Sequence, residues 1–133
     1  IYVGETAAET VVRMLQNNGY SVDYTGNYET GFYLARISSE SNFVTGNIPE
    51  DLRTKLEEHG FEIYDFTPNS LGDYDFTKGS GWMYQVNGVY PNYGLSDYCF
   101  QNGDTLRLRF TLAYGADIGQ DMTGGSDNWG YEW

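Results

Sequence analysis

The first regular pattern in the chain is a stripe of apolar residues at helical spacing. It predicts an amphipathic helix over residues 7–18. Thr6 stands at the N-cap position and Glu9 follows three residues later, which together form a capping box, and Gly19 stops the helix. The stripe consists of Ala8, Val11, Val12 and Leu15.

A second helix is predicted from Pro49, which favours the first helical turn. Asn47 or Ile48 is the expected cap, and Gly60 ends the helix. Apolar residues form one stripe while the other face is charged, so we expect this helix to lie on the surface. The stripe consists of Ile48, Leu52 and Leu56.

Much of the remaining chain alternates between apolar and polar residues, which is typical of strands. The dipeptide Asn87-Gly88 predicts a tight hairpin turn, and residues 67–80 are predicted to form a long loop. In the last run, Arg107 and Arg109 are expected to face outward and their apolar neighbours inward. The predicted strand runs are residues 20–24, 31–37, 61–66, 81–86, 89–90 and 105–110.

Two helices and five to seven short strands predict one α+β domain. We assign it to residues 1–114. Residues 115–133 are rich in Gly and Asp and are expected to form a C-terminal tail or linker remnant.

The chain has 133 residues and a formal net charge of −12. Such a charge repels nucleic acid and anionic membranes, and it fits an exported protein or a neutral, cationic or calcium-bridged partner. No apolar run approaches the roughly 20 residues of a membrane span. The first residue is Ile1, so we expect a fragment of a larger surface protein from which the signal and anchor are absent.

The single cysteine and the single histidine offer little chemistry. Cys99 lies between Tyr98 and Phe100, which favours a buried thiol. His59 suits a helix C-terminus and has no second histidine with which to build a zinc site. With 19 acidic residues, a carboxylate pair for glycoside hydrolysis carries no information. We therefore expect no enzyme and name no catalytic residue.

Acidic residues cluster in the long loop and in the tail. Calcium prefers several oxygen ligands, so these clusters are weak metal candidates, although solvated acidic loops are the simpler and favoured interpretation. Neither cluster has EF-hand spacing. The candidates are Asp73, Asp75, Asp117 and Asp121.

Aromatic residues are the other unusual feature. Trp82 and Tyr84 share one face of their strand, which is either core or binding surface. Tyr90, Tyr93 and Tyr98 lie in turn-rich sequence, where burial is harder, so they are better candidates for ligand contact.

The run from Gly81 to Gly88 resembles the transcobalamin C-terminal-like family. This family includes uncharacterised domains of bacterial surface proteins and the C-terminal domains of transcobalamin and intrinsic factor. The resemblance covers most of residues 3–114 and implies a β-grasp-like fold, in which a mixed sheet holds one main helix and the second helix lies in an insertion. Further matching residues are Pro91, Asn92, Gly94, Asp97, Tyr98, Asn102, Gly103 and Asp104.

The resemblance implies a non-catalytic extracellular interaction or adhesion module of a bacterial cell-surface protein. The alternatives are a small-molecule binder, for cobalamin, another corrinoid or a glycan, and a calcium-stabilised spacer. The expected ligand contacts lie on and after the hairpin turn: Asn87, Tyr90, Asn92, Tyr93 and Tyr98.

Overall fold

The computed structural model describes residues 4–44, 48–91, 94–119 and 129. Within these residues the chain forms two α-helices and two antiparallel sheets, so the α+β class is confirmed. The resemblance implied one mixed sheet, whereas the described strands form a sheet of order β1-β2-β3 and a separate pair β4-β5. The elements are α1 (Ala7–Asn17), β1 (Tyr20–Thr25), β2 (Tyr33–Ser39), α2 (Glu50–Glu58), β3 (Ser70–Gly72), β4 (Gly81–Val86) and β5 (Leu106–Thr111).

Helix α1 forms where the apolar stripe predicted it. The hydroxyl of Thr6 accepts a hydrogen bond from the Glu9 backbone N–H at 3.4 Å, which satisfies one N–H of the first turn. Glu5 is buried just before the helix, where Thr10 and Arg13 both donate to its carboxylate. The apolar face of α1 packs on both sheets and forms the first core. Its buried residues are Ala7, Ala8, Val11, Val12 and Leu15.

Helix α2 has an exposed charged face, but it also builds a second core. Leu52 and Leu56 are fully buried against the end of β5 and the segment that follows it. Pro49 itself is the N-cap and has no side-chain capping bond, which corrects the expected cap at Ile48. The alternative cap, Asn47, lies outside the described residues.

A hydrogen bond from Trp82 on β4 joins the two sheets. The Trp82 indole N–H donates to the Leu71 carbonyl on β3 at 2.9 Å. Its ring contacts both cores and meets Phe110 edge to face, with ring centroids 5.2 Å apart. Trp82 is therefore a packing residue at the junction.

The long loop and its flanks differ from the prediction. Residues 61–66 form no strand, because no ladder joins them to another described strand. Their backbone bonds are isolated ones, from Phe61 N–H to Leu56 O at 2.9 Å and from Tyr64 N–H to Phe76 O at 2.5 Å. Conversely, the predicted loop contains β3, whose three residues are too few to show alternation. Of the described helices, none has the length and apolar character needed to cross a membrane.

The segment after β5 packs onto the domain. Residues 116–118 form a 3₁₀ turn whose side chains are buried, and Ala116 packs in the second core. The Trp129 backbone N–H donates to the Ala116 carbonyl at 2.7 Å. The remaining division of the chain near residue 114 stays a prediction.

Candidate functional site

The predicted hairpin turn is present, and its side chains hold the fold together. Asn87 and Gly88 have φ angles of 53° and 82°, as a tight two-residue turn requires. The Asn87 amide donates to the Asp104 carboxylate at 3.0 Å and accepts from the Thr105 N–H at 2.9 Å. The Gln101 N–H and the Asn87 amide lower the pKa of Asp104. Asn87 thus locks its own turn to the turn that precedes β5.

Tyr90 anchors the segment that follows β5. Its hydroxyl donates to the Ile118 carbonyl at 2.8 Å and accepts from Arg109 at 3.0 Å. Burial raises the pKa of Tyr90, although the Arg109 guanidinium acts in the opposite direction. Arg109 is itself buried, with 6% exposed, so the expectation that it faces outward is wrong. The 3₁₀ turn at 116–118 covers this face of the sheet.

Tyr98 belongs to the edge of the first core. Its ring lies edge-on to both Tyr84 and Phe100, and its carbonyl accepts from the Ala7 N–H at 2.6 Å. Burial, together with Tyr98 and Asp97, raises the pKa of Tyr84 to about 12. The described ligand candidates therefore all have partners within the fold, and they do not form one cluster. Asn92 and Tyr93 lie outside the described residues.

Both acidic candidates of the long loop are bonded within the protein. Asp73 accepts from the Tyr33 hydroxyl at 2.6 Å. Asp75 accepts from Arg36 at 2.8 Å and from the Gly72 N–H at 2.9 Å. These bonds fix the loop to β2.

The third acidic candidate, Asp117, is fully buried. Its carboxylate accepts from the Thr111 hydroxyl and from the Leu112 N–H, which lies at 2.9 Å. The fourth candidate, Asp121, lies outside the described residues. Across the described part of the chain, no three His, Cys, Asp or Glu side chains come together as a metal site.

The structure also describes the single cysteine and the single histidine. The thiol of Cys99 is exposed, because Tyr98 and Phe100 on either side turn inward; the expectation of a buried thiol is wrong. His59 caps α2 at its C-terminus, as predicted, and its ring lies 4.8 Å from that of Trp129.

A groove of about 260 Å³ lies beside β5. Side chains from both faces of β5 line it, which indicates that the groove opens at the edge of the strand. Apolar groups from the loop after β2, from β3 and from β4 form the other walls. The lining residues are Phe43, Val44, Leu71, Phe76, Trp82, Arg107, Leu108, Arg109 and Phe110.

The register of the β4-β5 pair shows which backbone groups face this groove. The Asn87 N–H donates to the Thr105 carbonyl at 2.9 Å. Because hydrogen-bonded pairs alternate in an antiparallel ladder, Arg107 and Arg109 also direct their backbone groups to β4. The residues between them direct their N–H and C=O groups to the opposite edge, where no second strand pairs with β5 in the described structure. The outward-directed residues are Leu106, Leu108 and Phe110.

Sequence reasoning missed this groove. The alternation of residues 105–110 predicted a strand correctly, but a period of two says nothing about how many neighbours a strand has. Phe43 and Val44 come from a loop without a periodic signal. Only the exposed Arg107, on a chain of net charge −12, could have drawn attention to this strand.

A smaller surface feature surrounds Tyr33, which is 43% exposed, and Tyr74, which is 70% exposed. Burial and the bond to Asp73 raise the pKa of Tyr33 above its ordinary value. Tyr74 and Phe76 both have a φ of 68°, an unfavourable angle for residues other than glycine. The strained loop displays the Tyr74 ring beside the Tyr33–Asp73 pair.

Comparison with protein families gives a partial match in this region. A profile described as a domain of unknown function (DUF4430) matches residues 58–111, which include β3, β4 and β5. The similarity covers less than half of the chain. Neither a search of curated proteins nor a search of solved structures found a match.

Proposed function

We propose that this chain is a non-catalytic extracellular interaction or adhesion module of a bacterial cell-surface protein. The observation that carries the proposal is the groove of about 260 Å³ along the edge of β5. Its apolar and aromatic walls, together with outward-directed backbone groups, are features of surfaces that hold a partner.

Three acidic side chains support a role without catalysis, because their contacts are structural. Asp75 ties the long loop to β2, Asp104 ties two turns together, and Asp117 holds the segment after β5. Carboxylates used in this way stabilise the fold and are not directed into the groove.

The family match and the net charge support the extracellular and bacterial parts of the proposal. The match over residues 58–111 fits the resemblance to the transcobalamin C-terminal-like family, whose bacterial members belong to surface proteins. The net charge of −12 suits an exported domain.

A glycan-binding function is the second candidate, supported by the exposed rings of Tyr33 and Tyr74 beside Asp73. Aromatic faces stack on sugar rings, and a carboxylate accepts hydrogen bonds from sugar hydroxyls. A corrinoid is less well suited to the groove, since sites that enclose drug-sized molecules occupy roughly 300–1,000 Å³ and this groove is about 260 Å³.

The proposal is tested by screening the domain against a random peptide display library and a glycan array. Val44→Trp places a large ring at the groove, and Val89→Trp makes the same change at the tip of the hairpin, where Val89 is 65% exposed. We expect a ligand whose binding is lost with Val44→Trp and kept with Val89→Trp.

The reverse result would move the site to the hairpin turn that the sequence indicated. Loss of binding after changes at Tyr33 and Tyr74 alone would favour the glycan candidate. Mass spectrometry of the bound ligand completes the test, because a ligand that is turned over would contradict a non-catalytic module.

A further inference from the structure

We propose that Asn102 is a site of spontaneous covalent modification, at which the side-chain amide cyclises onto the backbone and is converted to aspartate or isoaspartate. Asparagine is a thermolabile residue, and a following glycine has no side chain to hinder attack by its backbone nitrogen. The sequence contains three Asn-Gly dipeptides, at residues 18–19, 87–88 and 102–103. The described structure holds the first two in hydrogen bonds and leaves the third open.

The reaction needs only the chain itself and water. The backbone nitrogen of Gly103 forms a bond to the side-chain carbonyl carbon of Asn102. The bond from that carbon to the amide nitrogen breaks, and ammonia leaves with the proton of the Gly103 N–H. Water then opens the cyclic imide at either carbonyl. Opening at the side-chain carbonyl gives aspartate, whereas opening at the backbone carbonyl gives isoaspartate, whose main chain is one carbon longer.

Asn102 lies in an exposed turn over residues 101–104, which the Asp104 N–H closes by donating to the Gln101 carbonyl at 3.0 Å. Gly103 has a φ of 91°, and a Cβ added to it would meet nothing within 4 Å, so the space around the attacking residue is open. Within the described part of the chain, neither the Asn102 amide nor the Gly103 N–H has a hydrogen-bond partner. Both reacting groups are therefore available.

The Asn87 side chain, in contrast, is held at both of its polar atoms. Its amide nitrogen donates to the Asp104 carboxylate at 3.0 Å, and its carbonyl oxygen accepts from the Thr105 N–H at 2.9 Å. Rotation of the amide towards the Gly88 nitrogen breaks both bonds. Because breaking one typical hydrogen bond slows a reaction by roughly fivefold, we expect two to slow it by about twenty-fivefold.

Asn18 is held in a similar way at the end of α1. Its amide nitrogen donates to the Met14 carbonyl at 2.7 Å. The attacking group at this site, the Gly19 N–H, donates to the Gln16 carbonyl at 3.2 Å. Reaction at Asn18 therefore also requires two bonds to break. Although the three dipeptides have the same sequence, the fold favours modification at Asn102.

Isoaspartate at position 102 alters the link between two turns. The Gln101 N–H donates to the Asp104 carboxylate at 2.8 Å, and the same carboxylate accepts from the Asn87 amide. The longer main chain displaces Asp104 relative to Gln101, so we expect both bonds to weaken. The hairpin turn then separates more easily from the turn that precedes β5. None of these residues lines the groove, so the groove is retained.

Peptide mapping by mass spectrometry tests the site. The whole chain is incubated at mildly alkaline pH and digested in acid, so that the digestion adds no modification. An isoaspartyl methyltransferase then labels isoaspartate. We expect Asn102 to react at least about fivefold faster than Asn18 or Asn87. Equal rates at the three sites, or a faster reaction at Asn18 or Asn87, would overturn the proposal.

The same chain unfolded in guanidinium chloride is the matched control. The bonds that hold Asn18 and Asn87 are then absent, so we expect the three rates to become similar. A preference for Asn102 that persists unchanged in the unfolded chain would show that the fold does not select the site, and this would contradict the structural basis of the proposal.

Hydrogen exchange at the Thr105 amide tests the effect on the two turns. This amide donates to Asn87, so we expect its exchange to become about fivefold or more faster as isoaspartate accumulates. Asn102→Gln keeps a carboxamide but cyclises much more slowly, so its exchange should stay constant during the same incubation. Asn102→Asp, measured before incubation, adds the charge without lengthening the chain and should have the smaller effect.

Two results would contradict this effect. Unchanged exchange at Thr105 in a chain that has accumulated isoaspartate would show that the turns do not depend on position 102. Equally fast loss of protection in Asn102→Gln would show that another change in the incubated chain, and not modification of Asn102, loosens the turns.

Discussion

The indole N–H of Trp82 donates to the carbonyl of Leu71 at 2.9 Å and thereby joins two sheets that share no strand pairing within the described residues. The same ring lines the groove beside β5 and contacts both cores. Trp82 and Leu71 both line the groove, so the bond between them holds two of its walls together.

Replacing Trp82 with Phe should lower the free energy of unfolding by about 1–2 kcal/mol, since the Leu71 carbonyl loses its donor while most of the ring volume is retained. Urea denaturation measures the change. Tyr64→Phe, at a side chain that is 39% exposed, is the control and should have an effect near zero. Equal effects of the two substitutions would show that the bond contributes nothing.

Replacing Asp117 with Asn should lower the free energy of unfolding by more, about 2–3 kcal/mol. The amide NH₂ group would then face a buried group that donates a hydrogen bond to the carboxylate. Asp51→Asn, on the exposed face of α2, should cost only a few tenths of a kcal/mol at the helix N-terminus. Denaturation of the two variants in parallel checks the difference. An Asp117→Asn protein as stable as the parent would contradict the structural role of this carboxylate.

Replacing Asn87 with Gly keeps the positive φ of the turn and removes only the side-chain amide. The pKa of Asp104 should then rise towards its ordinary value, although the Gln101 N–H, the larger cause, still lowers it. Carbon-13 NMR titration of the carboxyl group follows this pKa. Asn27→Gly, whose side chain accepts from Glu29 and Thr30, should leave it unchanged.

Alkaline pH should destabilise the domain through Tyr84. The folded protein raises the pKa of Tyr84 from 10.0 to about 12, so it binds the phenol proton more tightly than the unfolded chain does. This contribution is fully present below about pH 10 and is lost as the pH rises towards 12.

Tyr84→Phe should therefore reduce the loss of stability above about pH 10 without abolishing it, because the pKa of Tyr33 is raised as well. Unfolding curves measured from neutral pH upward give the slope. An unchanged slope in Tyr84→Phe would show that Tyr84 does not contribute.

Local signals in the sequence predicted much of the fold. The stripe from Ala8 to Leu15 placed α1, and Asn87-Gly88 placed the turn after β4, because both depend on neighbouring residues alone. The strand predicted for residues 61–66 was wrong, since alternating burial does not require a partner strand, and none pairs with this segment among the described residues. The burial of Arg109 was also missed, because the alternation within β5 does not show that the segment at 116–118 covers this residue.

The candidate site was less predictable than the fold. Tyr90 was selected for being hard to bury in turn-rich sequence, yet its hydroxyl bonds Ile118 and Arg109. The groove depends on the edge of β5, which pairs with no further strand among the described residues, and on Phe43 from a separate loop. Such features arise from tertiary arrangement, which periodicity does not encode.

The most direct test of the account is a crystal structure of the domain with a ligand selected from the display screen. We predict that the ligand lies along β5, with backbone or other polar atoms within hydrogen-bond distance of the Leu108 N–H and C=O. A ligand seated on Tyr33 and Tyr74, or on the turn at Asn87, with the edge of β5 empty, would contradict it.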